Sequence, residues 1–171
     1  IKPEEILGIG ISAIGTCVLP IDEQGHPLRP AILYGIDTRA SDEIEYLERT
    51  LGEEQIFKWG GARLSSQASG PKVLWIRNHE PHIFEKTRWF LTSEAYLVFR
   101  LTGKASIDVY SAGGYIPLYD VYRQEWVEEA AKVIAPLERF PQAYWSYQVV
   151  GEVTDQAARE TGLAPGTPVV A

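Results

Sequence analysis

The order of apolar and polar residues divides the chain into short segments, and the first of these is free of charge. From Ile6 to Ile21 no residue is charged and β-branched residues are frequent, which favours a strand over a helix. We predict a buried central strand here, broken by a bend over residues 12–16. In that bend Gly15 and Thr16 are too small to fill a groove, so they leave room for a ligand at the strand end.

A second apolar run, residues 30–34, ends in Tyr34 and is soon followed by Asp37 and Arg39. A carboxylate and a guanidinium can bind polyol hydroxyl groups, and a tyrosine ring can cover one face of a sugar. A charged pair just past a strand also commonly caps a turn or pairs locally. The pattern alone leaves both interpretations open.

Helical spacing of apolar residues predicts most of the remaining elements. The predicted helices run from Ser41 to Gly52, over 53–59, from Ser69 onward, over 94–101, about 124–133 and 155–161, with Ser41, Ser69, Thr92 or Ser93, and Thr154 as N-caps. We expect Glu43, Glu45 and Glu48 to face solvent, and Leu97 and Leu101 to face the core. Short strands between the helices predict an α/β protein with a largely parallel sheet.

The length of the chain, 171 residues, is enough for one core, and no linker or repeat divides it. Both ends fall where we expect a sheet to continue, so we predict a piece of a larger domain, incomplete at both ends. Strands separated from their neighbours expose apolar edges. We therefore expect the isolated chain to form a homo-oligomer through those edges.

The formal net charge of −7 argues against nucleic acid and anionic membrane surfaces as partners, because both would repel the chain. The uncharged run is also shorter than the roughly 20 residues that a membrane-spanning helix needs. Cys17 is the only cysteine, which excludes an internal disulfide and a cysteine metal site. A reducing compartment follows, and because no signal peptide precedes the first strand, we expect a cytoplasmic protein.

Other common site motifs fail on spacing or context. His79 and His82 are three positions apart with Pro81 between them, unlike the i, i+4 pair of zinc helices, so we predict no metal site. Residues 8–13 fit the pattern G-x-G-x-x-A, but a strand follows where a dinucleotide site requires a helix. No phosphate loop of the type G-x-x-x-x-G-K-[ST] is present.

The clearest helix start lies at Ser69, with Pro71 in the first turn. Amides at a helix N-terminus attract anions or hydroxyl oxygens, and Gln67 lies just before this one. Taken alone, a loop glutamine is more often a surface residue than a ligand contact. Gln67 is therefore a candidate only in combination with other residues.

Several of these segments together resemble the N-terminal domain of the FGGY family of carbohydrate kinases, in particular its xylulokinase-like members. The most specific is Ser69-x-x-Lys72-Val73-x-Trp75-Ile76-x-Asn78-His79, which is similar to the family signature. Further similarity lies in residues 10–12, 28–33 with Asp37 and Arg39, 96–103, 108–112, Gly151 and 168–171. The resemblance covers essentially the whole chain, residues 1–171.

The resemblance implies an actin-like, ribonuclease-H-like α/β domain that binds a sugar in a cleft against a second, ATP-binding domain. It implies an ATP-dependent kinase that uses ATP and Mg to phosphorylate a hydroxyl of a xylulose-like ketose or polyol, with an aspartate as general base. That aspartate, the family's glycine-rich phosphate turn and the ATP-binding domain are not found in this sequence. We therefore expect a fragment that is inactive alone, with no catalytic residue and no bound cofactor.

The substrate-binding residues that the resemblance implies are Gly15, Thr16, Tyr34, Asp37, Arg39 and Gln67. Gly15 and Thr16 stand where xylulokinases carry Met and His and glycerol kinases carry Arg and Glu, and Tyr34 is our choice for the family's sugar-facing tryptophan. The smaller residues favour a bulkier or differently oriented polyol. The alternative function is a non-catalytic module that binds a polyol or a partner without chemistry.

Overall fold

The computed structural model describes residues 2–171 as short helices and strands that follow one another along the chain. The helices are α1 (Ser41–Leu51), α2 (Glu53–Gly60), α3 (Ser69–His79), α4 (Pro81–Lys86), α5 (Ser93–Thr102), α6 (Val109–Gly113), α7 (Glu128–Val133) and α8 (Asp155–Thr161). The strands are β1 (Leu19–Ile21), β2 (Trp89–Leu91), β3 (Ser106–Asp108), β4 (Tyr119–Asp120), β5 (Glu125–Trp126), β6 (Gln142–Tyr144), β7 (Val149–Glu152) and β8 (Pro168–Val170). Two 3₁₀ helices cover Pro3–Glu5 and Leu137–Arg139.

The strands form separate pairs rather than one sheet. β1 with β2, β4 with β5 and β7 with β8 are antiparallel, and β3 with β6 is parallel. The prediction of a largely parallel sheet is therefore wrong for the described residues. The alternation of elements along a chain does not determine which strands become neighbours, and β1 meets β2 antiparallel although α1 to α4 lie between them in sequence.

The uncharged run near the start of the chain has two parts in different environments. Residues 18–21 are buried, and β1 within them pairs with β2. Ile9 makes a single parallel bridge to Val169, and Leu7 is 88% exposed. The prediction of a buried strand along the whole run is wrong, because an uncharged segment is buried only where neighbouring elements cover it.

Helix α3 runs through the main core. Seven of its eleven residues are buried, including all of its first turn from Ser69 to Lys72. The rings of Tyr115, Trp126 and Phe140 pack against one another in the same core. A smaller apolar cluster joins α5 and α8 to β7 and β8. Because surrounding residues enclose the first turn of α3, it is a fixed support for the loops that contact it.

Most predicted helix ends are confirmed. The hydroxyls of Thr92 and Thr154 accept hydrogen bonds from first-turn amides of α5 and α8. Glycines follow the last residues of three predicted helices: Gly52, Gly103 and Gly162. The N-cap predictions for Ser41 and Ser69 are wrong by one position, since each is the first helical residue.

Two predicted exposures are also wrong. Glu43 is only 3% exposed, because it lies one turn before the buried Leu47 on the face of α1 that packs against α3. Leu97 is 46% exposed, because the buried stripe of α5 instead includes Ala95 and Val98.

Candidate functional site

A surface hollow of about 480 Å³ lies where the bend before β1, the turn after Ile32 and α6 come together. Gly15, Thr16 and Tyr34, three of the residues expected to bind a sugar, line it. The other lining residues belong to α6 and the segment after it: Val109, Tyr110, Gly113, Gly114 and Val121. We call this cavity the Tyr34 hollow.

Small residues allow close packing in the Tyr34 hollow. A Cβ atom placed on Gly15 would lie 3.5 Å from the Tyr34 ring, so these two residues face each other near van der Waals distance. A Cβ atom placed on Gly114 would lie 2.4 Å from Cγ2 of Thr16, which is far too close. Gly114 is therefore required for Thr16 to occupy its place in the wall.

Thr16 connects the bend to two other elements. Its side chain packs on Gly114, its carbonyl accepts a 3.2 Å hydrogen bond from Oγ of Ser69, and its own Oγ1 is buried without a hydrogen-bond partner among the described residues. The amide of Ser69 donates to the Gly114 carbonyl at 2.9 Å. This amide at the start of α3, where we expected attraction for a ligand, is therefore engaged within the chain.

Tyr34 lies on a tight surface turn. Its side chain is 36% exposed, and Gly35 after it has a φ of 72°, a conformation that glycine adopts without strain. The carbonyls on either side of Tyr34 are both held by side chains. Nζ of Lys72 donates to the Leu33 carbonyl at 2.8 Å, and Oγ of Ser66 donates to the Gly35 carbonyl at 2.9 Å.

Asp37 and Arg39 pair with each other. Nε of Arg39 lies 2.9 Å from Oδ1 of Asp37, and Nη2 lies 2.9 Å from Oδ2. These hydrogen bonds hold the pKa of the Asp37 carboxyl below its usual value and raise the pKa of Arg39. The Arg39 guanidinium also lies 4.7 Å from the centre of the Trp75 ring. The local pairing that the sequence left open is present, and a role for the two residues in sugar binding stays a prediction.

Asp37 also lines a smaller cavity of about 200 Å³ together with Lys72. Lys72 is only 1% exposed, and burial lowers the pKa of its ammonium, which the Asp37 carboxylate partly opposes. Gln67 is exposed, and its Cγ would lie 3.8 Å from a Cβ atom placed on Gly35. Of the six predicted residues, three therefore line the Tyr34 hollow, and the others lie on or beside the segment that follows Tyr34.

The wall that α6 supplies was not predicted from the sequence. Asp108 caps this helix by accepting hydrogen bonds from the amides of Tyr110 and Ser111, and Tyr110, 88% exposed, lines the hollow. The sequence signals for this wall are the similarity of residues 108–112 to the family and the consecutive pair Gly113 and Gly114, which indicates that another part of the chain approaches closely.

Among residues 2–171, no three His, Cys, Asp or Glu residues are grouped so that they could hold a metal ion. Nε2 of His79 instead lies 3.2 Å from Oε1 of Glu43, and the imidazole stacks on Trp75. Within the same residues, no helix has the length and apolarity needed to cross a membrane.

Residues 1–171 match the FGGY family of carbohydrate kinases, N-terminal domain. The chain belongs to this family. The xylulose kinase of Staphylococcus xylosus is 28% identical over 160 residues, which are 93% of this chain and 33% of that protein. The chain thus spans about a third of the length of the curated relatives that it matches.

Solved structures of related kinases have the same fold. Xylulose kinase from Rhodospirillum rubrum superposes with a TM-score of 0.89 at 29% identity, over 96% of this chain and 34% of that one. Glycerol kinase from Plasmodium falciparum, solved with ADP, gives a TM-score of 0.83 at 24% identity, over 95% and 33% of the two chains, and shows likeness in fold alone. The predicted actin-like, ribonuclease-H-like α/β class is confirmed.

Proposed function

We propose that this chain forms the sugar-binding part of an ATP-dependent carbohydrate kinase whose substrate is a xylulose-like ketose or a polyol. The observation that carries the proposal is that Gly15, Thr16 and Tyr34 line one hollow in a chain of the FGGY family. Similarity to xylulose kinases supports this class of substrate.

In the Tyr34 hollow, the apolar face of a sugar would pack on the tyrosine ring, and its hydroxyls would reach polar groups at the edge. Asp37, Arg39 and Gln67 would bind hydroxyls from the neighbouring segment. Pairing between Asp37 and Arg39 still permits this, because a carboxylate has about four lone-pair sites and a guanidinium five N–H donors. The pair would then act as one preformed polar edge of the site.

ATP with Mg would be the phosphate donor, bound outside this chain. We place the nucleotide on the second domain that the family resemblance implies, since the sequence contains no phosphate loop and residues 2–171 contain no group of three His, Cys, Asp or Glu side chains for a metal ion. Phosphoryl transfer depends mainly on positioning and charge stabilisation. The role we assign to this chain is to hold and orient the sugar and to exclude water on its side of the cleft.

Two further assignments accompany this function. The buried, unpaired Cys17 fits a reducing compartment, and we assign the protein to the cytoplasm. Exposed apolar residues near strand edges, such as Leu7 and Val149, support self-association of the chain as a homo-oligomer.

The test is a substrate screen on the complete polypeptide that contains this chain. Ketoses and polyols that raise the thermal midpoint are tested for sugar-dependent ADP release, and we expect at least one to do both. Tyr34→Ala should then raise the KM for that sugar about tenfold, which corresponds to about 1.4 kcal/mol of lost packing. The control Tyr46→Ala removes an exposed ring from α1 and should leave the KM unchanged. A sugar that stabilises without turnover would favour the non-catalytic module, and the absence of any stabilising sugar would refute sugar binding.

A further inference from the structure

We infer that four side chains around the Tyr34 hollow are positioning residues, which hold its two loops in the geometry that binds the sugar. They are Ser66, Ser69, Lys72 and Ser93. None of them lines the Tyr34 hollow, so each acts on the sugar through the loop that it holds. The inference deepens the proposed function and rests on it for the identity of the ligand.

The first loop carries Gly15. Oγ of Ser93, the first residue of α5, donates to the Ile14 carbonyl at 3.0 Å. Oγ of Ser69, the first residue of α3, donates to the Thr16 carbonyl at 3.2 Å. The two peptide carbonyls that flank Gly15 are thus fixed by the ends of two different helices.

The second loop carries Tyr34 and repeats this arrangement. Lys72, in the first turn of α3, donates to the Leu33 carbonyl at 2.8 Å, and Ser66, in the segment before α3, donates to the Gly35 carbonyl at 2.9 Å. Lys72 is buried, so its ammonium has little solvent to compete for this hydrogen bond. The carbonyls that flank Tyr34 are therefore also held by side chains, from α3 and the segment preceding it.

Within the described residues, the four carbonyls accept hydrogen bonds from these side chains alone. Ile14, Thr16, Leu33 and Gly35 lie outside helices and strands, and no backbone amide of residues 2–171 donates to their carbonyl oxygens. Loops without backbone pairing are the most mobile parts of a fold unless other contacts hold them. Across the hollow, the Tyr34 ring faces Gly15. Loss of a donor from either loop should therefore make the distance between the Tyr34 ring and Gly15 more variable.

The test uses the two donors that are not fully enclosed, Ser66 and Ser93, in the complete polypeptide. Ser66→Ala and Ser93→Ala should each raise the KM for the sugar about fivefold, in line with the loss of one hydrogen bond, and change kcat less than twofold. The conservative variants Ser66→Thr and Ser93→Thr keep a hydroxyl and should restore the KM. The matched control is Thr87→Val, which removes one hydroxyl that donates to the Ile83 carbonyl away from the hollow.

Amide hydrogen exchange provides a second measurement that does not need turnover. Peptides covering residues 12–17 and 33–37 should exchange faster in the two alanine variants than in the wild type, and at the wild-type rate in Thr87→Val. Unchanged exchange in both alanine variants, or a KM shift no larger than that of Thr87→Val, would overturn the positioning role. A wild-type protein that turns over no sugar would instead refute the proposed kinase, and the exchange rates would still decide whether these donors hold the loops.

Discussion

Thr16 and Gly114 show how two small residues determine the shape of the candidate site. Thr16 is buried at 6% exposure, and its methyl and hydroxyl groups fill the space that a side chain at position 114 would need. The same glycine accepts a hydrogen bond from the first amide of α3 through its carbonyl. A substitution at position 114 would therefore disturb the Tyr34 hollow, the end of α6 and the start of α3 together.

We predict that Gly114→Ala destabilises the fold by about 1–3 kcal/mol, because the new methyl group would overpack against Thr16. The adjacent Gly113→Ala is the matched control, since its Cβ atom would lie 3.3 Å from Cγ1 of Val121, a far less severe approach than the 2.4 Å contact at position 114, and we expect a smaller loss of stability than in Gly114→Ala. Urea unfolding of the three proteins measures both values. Equal stability of Gly114→Ala and Gly113→Ala would contradict the contact.

Lys72 makes the stability of the fold depend on pH. Burial lowers the pKa of its ammonium from the usual 10.5, so between the lowered pKa and 10.5 the unfolded chain binds more protons than the folded one. In that range the contribution of Lys72 to the free energy of unfolding rises with pH. Below the lowered pKa, Lys72 is charged in the folded protein, and the full cost of burying that charge opposes folding. We expect the free energy of unfolding of the wild type to rise relative to Lys72→Met as the pH increases from about 7 to about 10. A pH-independent difference between the two proteins would show that the ammonium is not desolvated.

At the scale of elements, a polar contact joins the buried Glu43 of α1 to exposed side chains at the C-terminal end of α3. Oε1 of the buried Glu43 accepts a hydrogen bond from Nδ2 of Asn78 at 3.1 Å and lies 3.2 Å from Nε2 of His79. Its other oxygen, Oε2, is buried without a partner in the described part of the chain. A buried carboxylate with so few partners depends strongly on each one.

We predict that Asn78→Ala lowers the free energy of unfolding by about 1–3 kcal/mol, because it leaves the Glu43 carboxylate with fewer donors. His82→Ala, an exposed position on α4, should stay within about 0.5 kcal/mol of the wild type. The two variants are compared by urea unfolding at neutral pH. A loss in Asn78→Ala no greater than in the control would show that the contact is energetically neutral.

Local signals explain which elements could be predicted from the sequence. The glycines that end α1, α5 and α8 and the threonines that cap α5 and α8 act within one helical turn, so the sequence contains all the information they need. The antiparallel pairing of β1 with β2 depends on partners dozens of residues away, and no local pattern encodes it. For Glu43, the four-residue spacing from Leu47 places it on the buried face of α1, and its charge alone misleads the prediction. For the site, family resemblance located Gly15, Thr16 and Tyr34, but the α6 wall depends on how α6 approaches the bend. The hydroxyl donors that hold the loops are equally non-local.

At the scale of the whole molecule, apolar side chains remain at the surface. Leu7 is 88% exposed, Ile36 77% and Val149 59%, and these exposures exceed those of a well-covered core residue by a wide margin. Ile9, two residues after Leu7 in the extended N-terminal segment, pairs on one side with Val169. Extended segments with apolar side chains and open edges are common sites of association between chains.

We predict that the isolated chain self-associates in a concentration-dependent manner, measured by light scattering during size-exclusion chromatography. Leu7→Lys should shift the distribution toward monomer, because a charge on an edge segment opposes pairing with another chain. Tyr122→Lys also replaces an exposed aromatic residue, on the turn between β4 and β5, and should leave the distribution unchanged. A wild-type chain that stays monomeric at all concentrations would rule out the homo-oligomer.

The first turn of α3 sets the distance between the two loops of the Tyr34 hollow. Ser69 and Lys72 lie three residues apart on the same helix face, and each contacts a different loop. The separation of the two loops therefore depends on the spacing of these two residues along the helix. One residue inserted between them would rotate Lys72 by about 100° around the helix axis and remove it from its loop. An insertion before Ser66 would leave the spacings from Ser66 to Ser69 and from Ser69 to Lys72 unchanged. An insertion before Ser66 is therefore compatible with this site, whereas an insertion between Ser69 and Lys72 is not.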